Sequence, residues 1–225
     1  ESIKLFRKKK FFVPFLYKFL IIITKSILSR FDKILISSPE FRYSDSLKNC
    51  KNLIDLNTWE PQKKAIENII ITQKSKQIII SSIGNIGNAH DINLIKYFLY
   101  ASDKFNLRIN FAGGGSKISL LKEYVKNENL NNVYFYNYIS KLKAKNLIRR
   151  SHFSLIPFKK SEISDTIPYR FVTSIAFSTP LISFNETYIS NIVEQNNLGT
   201  CINKLEELKK KENLSLMEKF ISDLF

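Results

Sequence analysis

Glycine, cysteine and long apolar runs are scarce in this sequence, and each scarcity argues against a class of protein. Two cysteines in 225 residues are too few for a disulfide framework, so a reducing compartment is expected. The apolar stretch from residue 11 to residue 23 contains Pro14 and Lys18, and it falls short of the ~20 apolar residues that span a membrane. No small-residue cleavage site follows it, which argues against a signal peptide.

The motifs of several common enzyme classes are also absent. The chain has neither the G-x-G-x-x-G dinucleotide fingerprint nor the G-x-x-x-x-G-K-S/T phosphate loop, which disfavours a NAD enzyme and an ATPase. No cluster of His, Cys and acidic residues has the spacing of metal ligands, and the isolated His90 and His152 are expected to be structural. We therefore expect neither a metal nor a cofactor.

Positive charge is concentrated at the amino end of the chain. The net charge is +15, and residues 1–30 hold eight basic residues against Glu1 alone, a net charge of +7 for that segment. Aromatic and aliphatic residues are interleaved with these cations, a composition that suits the surface of an anionic membrane. A helix packed on another domain explains the same composition, so both interpretations stay open for residues 4–30. The expected location is cytoplasmic, with peripheral contact at the inner face of the membrane under the first interpretation.

From residue 77 onwards, apolar β-branched runs alternate strictly with helical patterns. Such alternation predicts an α/β fold, a Rossmann-like parallel sheet with helices on both faces. In such sheets, ligands bind at the carboxyl ends of the strands, where the strand order reverses. The patterns place strands at 77–82, 107–112, 132–136, 153–157, 180–184 and 199–202, and helices at 90–104, 117–129, 140–150, 168–178 and 186–196.

Glycine is kept almost only at two turns of this pattern. The chain has six glycines, well below the ~7% that is usual, and five of them follow two successive strands. Gly84 and Gly87 follow the first strand, and Gly113, Gly114 and Gly115 follow the second. At such turns the backbone can approach a ligand closely, and N–H groups at a helix start can face an anion. Tight-turn geometry explains either turn by itself, but the two together favour a phosphate-bearing ligand.

A third feature lies at residues 165–171, where a turn opens a helix. Pro168 suits the first helical position, and Arg170 on the first turn can pair with phosphate oxygens. Asp165 lies just upstream, where it could bind a sugar hydroxyl. A helix cap with a solvated arginine is the alternative explanation.

Together, these features resemble the C-terminal domain of family 4 glycosyltransferases, which have the GT-B fold. The resemblance covers about residues 75–204 and rests on five segments in the right order. These are the Gly-Asn-x-Gly turn after residue 83, the strand and Gly-rich turn at 111–115, the strand at 132–139, the strand at 151–157, and residues 168–182. The last segment resembles the family's Pro-Ser-Lys-x-x-Glu-x-x-Ala-x-Gly-x-Pro-Val-Val pattern.

The resemblance implies the roles of individual residues. It implies that Gly84, Asn85 and Gly87 approach the donor diphosphate, with Gly113 and Gly114 in the neighbouring turn. It implies that Arg170 stands where the family has a phosphate-binding lysine, and that Tyr138 and Ile139 flank the nucleobase. The family's paired glutamates fall on Asp165, which would be catalytic, and on Thr173, in the position that normally holds the ribose. Residues 88–91 stand where the family usually has a basic residue.

The resemblance also implies a division of the chain. Residues 1–62 would be a remnant of the N-terminal acceptor domain and its linker, residues 63–213 the nucleotide-sugar-binding domain, and residues 214–225 a C-terminal helix. The family's final helix crosses to the N-terminal domain, so apolar area is expected to be exposed around 11–23 and 214–225.

Three functions are compatible with these sequence features to different degrees. The first is a retaining glycosyltransferase that moves a hexose-type sugar from a nucleoside-diphosphate sugar to a surface polysaccharide or lipid-linked acceptor. The second is a non-catalytic or truncated module that only binds the nucleotide sugar. The third, nucleic-acid binding, is disfavoured because no recognised motif occurs and the aromatic residues at 134–138 suit a sheet.

Overall fold

The computed structural model describes residues 12–37, 39–56, 77–159, 166–184, 187–202, 218–219 and 221–223. These residues fall into two compact units. The first unit contains the described residues up to 56 together with 166 and 167, and the second contains the rest. The predicted boundary at residues 62 and 63 lies outside the described residues.

The first unit is small and has little core. It consists of helix α1 (Phe12–Leu28), strand β1 (Ile34–Ile36), a 3-10 helix (Pro39–Tyr43) and strand β2 (Leu53–Asp55). The two strands pair in parallel, and an ion pair of 2.9 Å joins Arg42 to Asp55. Within the described part of this unit, Ile36 is the one fully buried apolar residue.

The second unit is built on a six-stranded parallel sheet, which confirms the predicted fold class. Its strands are β3 (Ile78–Ile83), β4 (Leu107–Ala112), β5 (Val133–Tyr136), β6 (Phe153–Ile156), β7 (Leu181–Phe184) and β8 (Gly199–Ile202). Between them lie α2 (Ile92–Ser102), α3 (Ile118–Asn127), α4 (Lys141–Arg150), α5 (Tyr169–Ala176) and α6 (Tyr188–Gln195). Every strand and helix predicted between residues 77 and 202 is present.

The ends of these helices follow from local sequence signals. Asp91, Ser140 and Thr187 precede α2, α4 and α6, and each side-chain oxygen accepts a hydrogen bond from a backbone N–H in the first turn. Such caps satisfy amide groups that have no partner within the helix. The apolar faces of the helices then cover the sheet.

Helices pack on both faces of the sheet. On one face, Phe98 of α2 contacts Phe184 of β7 with a distance of 6.0 Å between ring centroids, within a cluster that also holds Ile80. Ser81 points to the opposite face, because side chains alternate along a strand. Its hydroxyl lies 2.7 Å from that of Ser151, at the end of α4.

The strand order reverses in the middle of the sheet. The order is β5-β4-β3-β6-β7-β8, so the chain leaves β3 toward one edge and later returns to the other side of β3. Strands β3 and β6 are direct neighbours, with Ile80 paired to Phe153. Ligands of doubly wound sheets bind outside the carboxyl ends of the strands at this kind of reversal.

The expected exposure of apolar residues is confirmed in the described part of 11–23 and contradicted at Ile221 near the carboxyl end. Phe15, Phe19 and Ile22 of α1 are each more than half exposed. Of the predicted helix at 214–225, the structure describes only 218–219 and 221–223. Within it Ile221 is fully buried in the core of the second unit, because it packs on the same face of the sheet as α2. No helix within the described ranges is long and apolar enough to cross a membrane.

Candidate functional site

The two glycine-containing turns lie directly against each other at the carboxyl ends of β3 and β4. The N–H of Gly84 donates to the carbonyl of Ala112 at 2.8 Å, and that of Ile86 donates to the carbonyl of Gly114 at 2.8 Å. These bonds continue the parallel ladder of β3 and β4 beyond the strands. Backbone contacts therefore fix the turn at 84–87 against the turn at 113–115.

This packing explains two of the glycines without any ligand. A Cβ at Gly113, where φ is +130°, would lie 2.5 Å from the carbonyl oxygen of Gly84. A Cβ at Gly115, where φ is +111°, would overlap the backbone of Ile86. Both positions have a φ that side chains rarely adopt, so the turn geometry itself requires glycine there.

Gly87 differs from these glycines. A Cβ at Gly87 would meet only the hydroxyl oxygen of Ser116, at an ordinary distance of 3.5 Å. Its φ lies outside the left-handed region that favours glycine. The surrounding protein therefore does not require glycine at this position, and close approach of a ligand remains a reason for it.

Arg170 reaches from the first turn of α5 to the turn after β3. Its Nη1 donates to the hydroxyl of Ser82 at 3.0 Å, and its Nη2 donates to the carbonyl of Asn85 at 3.2 Å. The same Nη2 lies 3.2 Å from the place of a Cβ on Gly84. The guanidinium thus lies beside the Gly84–Gly87 turn, at the carboxyl end of β3.

The charge of Arg170 is buried. The residue is only 8% exposed, and burial lowers its pKa to about 10, so the guanidinium stays charged at neutral pH. Within the ranges that the structure describes, no carboxylate forms an ion pair with it. A buried charge is costly unless it is paired, and an anionic ligand would supply the pairing.

His90 lies against this guanidinium, and the sequence-based interpretation missed it. The N–H of Gly87 donates to its Nδ1 at 3.1 Å, and its Nε2 lies 3.3 Å from Nη2 of Arg170. Burial, and secondly the charge of Arg170, lower the pKa of His90 to about 3, so the ring is neutral at neutral pH. The position of His90 in the sequence could have indicated it, because His90 follows the glycine turn directly. It also lies within residues 88–91, which replace the family's basic residue.

Tyr138 lies over the second glycine turn. Its hydroxyl donates to Oδ1 of Asn85 at 3.0 Å, and a Cβ at Gly114 would lie 2.7 Å from the same hydroxyl oxygen. The side chain is 77% exposed, so its ring is accessible from solvent. Ile139, next in the chain, is half-buried.

The remaining site predictions fall at the start of α5. Thr173 is buried, and its hydroxyl donates to the carbonyl of Tyr169 at 2.9 Å. Asp165 lies outside the described residues.

His152, predicted to be structural, accepts a hydrogen bond from the N–H of Ile79 through Nδ1 at 3.0 Å, at the junction of β3 and β6.

The structure thus brings most of the predicted site residues to one place. Gly84, Asn85, Gly114, Tyr138 and Arg170 are linked by direct contacts, although they lie up to 86 positions apart in the chain. The arrangement offers a buried cation and an exposed aromatic ring at the reversal of strand order. Among the described residues, no three of His, Cys, Asp and Glu lie close enough together to hold a metal ion.

This chain resembles known proteins in structure but not in sequence. No family model matches the sequence, and no curated protein is significantly similar to it. Several solved structures of glycosyltransferases have the same fold. The pneumococcal O-GlcNAc transferase GtfA, crystallised with UDP and GlcNAc, is 12% identical with a TM-score of 0.62, and the alignment covers 90% of this chain and 40% of GtfA.

Two further glycosyltransferase-fold structures give a similar picture. Anabaena HepE, in complex with UDP and glucose, is 10% identical with a TM-score of 0.63, and 91% of this chain aligns with 57% of HepE. A mutant of S. aureus TarM, in complex with fondaparinux, alpha-GlcNAc-glycerol and UDP, is 13% identical with a TM-score of 0.60. That alignment covers 86% of this chain and 38% of TarM. The chain therefore shares the fold of part of these GT-B glycosyltransferases, and it spans 38–57% of the length of these three structures.

Proposed function

We propose that this chain binds a nucleoside-diphosphate sugar and forms the donor-binding part of a retaining glycosyltransferase of the family 4 type. The observation that carries the proposal is Arg170, a buried guanidinium beside the Gly84–Gly87 turn at the reversal of strand order. The likeness in fold to glycosyltransferases solved with UDP supports the same ligand. A diphosphate is an anion of the right kind for a guanidinium and turn N–H groups.

The proposed chemistry follows from this placement. In sugar transfer, the bond between the anomeric carbon and the diphosphate oxygen breaks, and the bonding electron pair leaves with the nucleoside diphosphate. The acceptor hydroxyl oxygen forms the new bond to the anomeric carbon, and its proton passes to the departing diphosphate oxygen. Arg170 would stabilise the negative charge that develops on the departing diphosphate, since a fixed cation in a dry site needs no reorganisation. This role requires no metal ion, and Asp165 is the proposed contact for the transferred sugar.

The nucleoside end of the ligand is assigned to the other side of the turns. Tyr138 would stack on the nucleobase, because its exposed ring lies next to Asn85 and Gly114. Ile139 would flank the base, and Thr173 would lie near the ribose. The transferred group is proposed to be a hexose, and the acceptor a surface polysaccharide or a lipid-linked sugar.

The binding proposal is tested by calorimetry with UDP and GDP. We expect micromolar to millimolar binding by the chain and a loss of about 10- to 150-fold in Arg170→Met, since a charged hydrogen-bonded contact contributes about 1.5–3 kcal/mol. Arg108→Met is the matched control, because Arg108 is a half-buried arginine near the amino end of β4, where it contacts Tyr134 and Tyr136. Equal affinity in both variants, or no binding by the parent chain, would contradict the proposal.

A non-catalytic binding module is the second candidate. It is favoured by Thr173, which stands in the position of the family's second acid and whose hydroxyl donates to Tyr169 within the helix. Hydrolysis or transfer of a labelled sugar nucleotide separates the two candidates. Turnover that is lost in Asp165→Asn supports the enzyme, whereas binding without turnover in the presence of acceptor lipid and polysaccharide supports the module.

Membrane contact through residues 4–30 is proposed as the route to a lipid-linked acceptor at the inner face of the membrane. The exposed residues Phe15, Phe19 and Ile22 lie on one side of α1, at the spacing of an amphipathic helix. Lys18 and Lys25 adjoin them at the same helical spacing. A helix of this kind lies in the interface of an anionic bilayer.

Co-sedimentation with vesicles tests this contact. The chain is expected to bind vesicles that contain phosphatidylglycerol more strongly than neutral ones, and Phe15→Glu with Phe19→Glu should release it. Leu142→Glu is the control, since Leu142 is an apolar residue of α4 that is similarly exposed, at 69%. Binding that is equal to both kinds of vesicle, or equally lost in the control, would contradict the proposal.

A further inference from the structure

The hydrogen bonds of His90 determine which of its nitrogen atoms carries the proton. Nδ1 accepts the N–H of Gly87 at 3.1 Å, so Nδ1 has no hydrogen. A neutral imidazole has one N–H, which must therefore be on Nε2. We assign this tautomer to His90 because the N–H of Gly87 is the shorter of its two contacts and has a direction fixed by the backbone.

The protonated Nε2 then faces another donor. It lies 3.3 Å from Nη2 of Arg170, and a guanidinium nitrogen carries only hydrogens and accepts nothing. Two N–H groups thus point into the same small space, and both residues are only 8% exposed. Neither donor satisfies the other, whereas an oxygen atom placed between them would accept from both.

A purely structural role does not explain this arrangement. The N–H of Gly87 satisfies Nδ1 of His90, and the ring of Phe158 packs near the imidazole with 5.2 Å between the ring centroids. Neither contact satisfies the N–H at Nε2. A core histidine would direct its remaining N–H to a carbonyl or hydroxyl oxygen, since buried polar groups are paired. Here the neighbour is a cation.

We propose that His90 is a second ligand of the diphosphate, and that it donates a hydrogen bond from Nε2 as a neutral ring. This inference rests on the proposed function. Residues 88–91 stand where the family usually has a basic residue, and we assign the role of that residue to the neutral imidazole of His90. Nε2 of His90 and Nη2 of Arg170 would hold one phosphate oxygen between them. The Gly87 amide orients the ring, so Gly87 acts through His90 as well as through its small size.

Two substitutions separate the donor from the orienting contact. His90→Asn keeps an oxygen near the position of Nδ1, which can still accept from Gly87, and removes the distal donor. His90→Gln keeps an N–H group near the position of Nε2 and removes the Nδ1 acceptor. The first variant is expected to weaken binding of both UDP and inorganic pyrophosphate by about 10- to 100-fold, and the second by less than about threefold.

The melting temperature and the proton spectrum complete the test. If His90 had only a structural role, His90→Asn would bind UDP and pyrophosphate as tightly as the parent chain. His90→Gln would then have the lower melting temperature, because it lacks the acceptor for the N–H of Gly87. Pyrophosphate added to the parent chain should shift the Nε2–H resonance of His90, which is distinguished from that of His152 by its absence in His90→Gln. An unshifted resonance, or full affinity in His90→Asn while Arg170→Met has lost binding, would overturn this inference and leave the proposed function standing. A parent chain that binds neither UDP nor pyrophosphate would overturn both.

Discussion

Gly87 and Gly115 provide a pair of identical substitutions with opposite expected outcomes. Both glycines belong to the two turns at the carboxyl ends of β3 and β4. An added methyl group at Gly115 would overlap the backbone of Ile86, at a φ of +111°. The same group at Gly87 would meet only Ser116, at 3.5 Å. Gly115→Ala is therefore a perturbation of the fold, and Gly87→Ala is a perturbation of the candidate site.

The magnitudes follow from the two environments. At Gly115, backbone strain costs about 1–3 kcal/mol and the overlap with a packed turn costs about the same again. The expected loss is about 3 kcal/mol or more, a large part of the ~5–15 kcal/mol that stabilises a domain. At Gly87, a compatible alanine changes the free energy of unfolding by less than about 1 kcal/mol, because it also restricts the unfolded chain. A methyl group where the diphosphate approaches should weaken binding at least about tenfold.

Thermal unfolding and calorimetry with UDP distinguish the two outcomes. Gly115→Ala is expected to lower the melting temperature by about 6 °C or more, and Gly87→Ala to leave it within about 3 °C of the parent chain. UDP affinity should fall in Gly87→Ala even though the protein is fully folded. Unchanged UDP affinity in folded Gly87→Ala would refute the assignment of this turn to the diphosphate. A stable Gly115→Ala would refute the packing of the two turns.

Three further predictions concern pH, the nucleobase and the carboxyl end. His90 has a pKa near 6.5 when unfolded and about 3 when folded, so its contribution to stability is complete above pH 6.5 and is lost as the pH falls toward 3. Between pH 8 and pH 5 it should lower the free energy of unfolding by about 2 kcal/mol, a slope that urea titrations should find reduced in His90→Gln. Tyr138→Ala is expected to weaken UDP binding by about tenfold and to leave pyrophosphate binding unchanged, as measured by calorimetry, because the ring is assigned to the base. Ile221→Ala should cost about 2–5 kcal/mol in chemical unfolding, whereas Ser222→Ala, at an exposed neighbouring position, should cost less than about 0.5 kcal/mol.

Each of these predictions has an outcome that contradicts it. An equal pH slope in the parent chain and His90→Gln would mean that folding does not lower the pKa of His90. A Tyr138→Ala variant that loses pyrophosphate binding as well would place the ring at the phosphates instead of the base. An Ile221→Ala variant as stable as Ser222→Ala would mean that the carboxyl end does not belong to the core.

The elements of the second unit could be predicted because their signals are local. The β-branched run of β3 and the glycine that follows it specify a buried strand and a turn within ten residues. Caps such as Asp91 and Ser140 mark helix starts in the same way. In the first unit the two strands are only three residues long, and Ile36 is the one buried apolar residue of its described part.

The carboxyl end shows why exposure could not be predicted from the pattern. The segment at 214–225 was expected to lose its packing surface, yet Ile221 is buried against the sheet. An apolar helical pattern predicts that one face of the helix is buried, but it does not predict which part of the protein packs on that face. The covering surface includes residues more than 90 positions earlier in the chain, among them Phe98 and Leu121 of the same core cluster.

The amino-acid sequence by itself determined the alternation of strands and helices, the two glycine turns and the presence of a cation at the start of α5. Each of these depends on neighbours within one element or one turn, where propensity and backbone geometry act. Only the tertiary structure decided that Arg170 is buried beside Gly84, and that Nε2 of His90 faces it from 80 positions away. Burial and opposed donors are properties of contacts between distant segments. They arise when the reversal of strand order brings the end of β3 and the start of α5 to the same place.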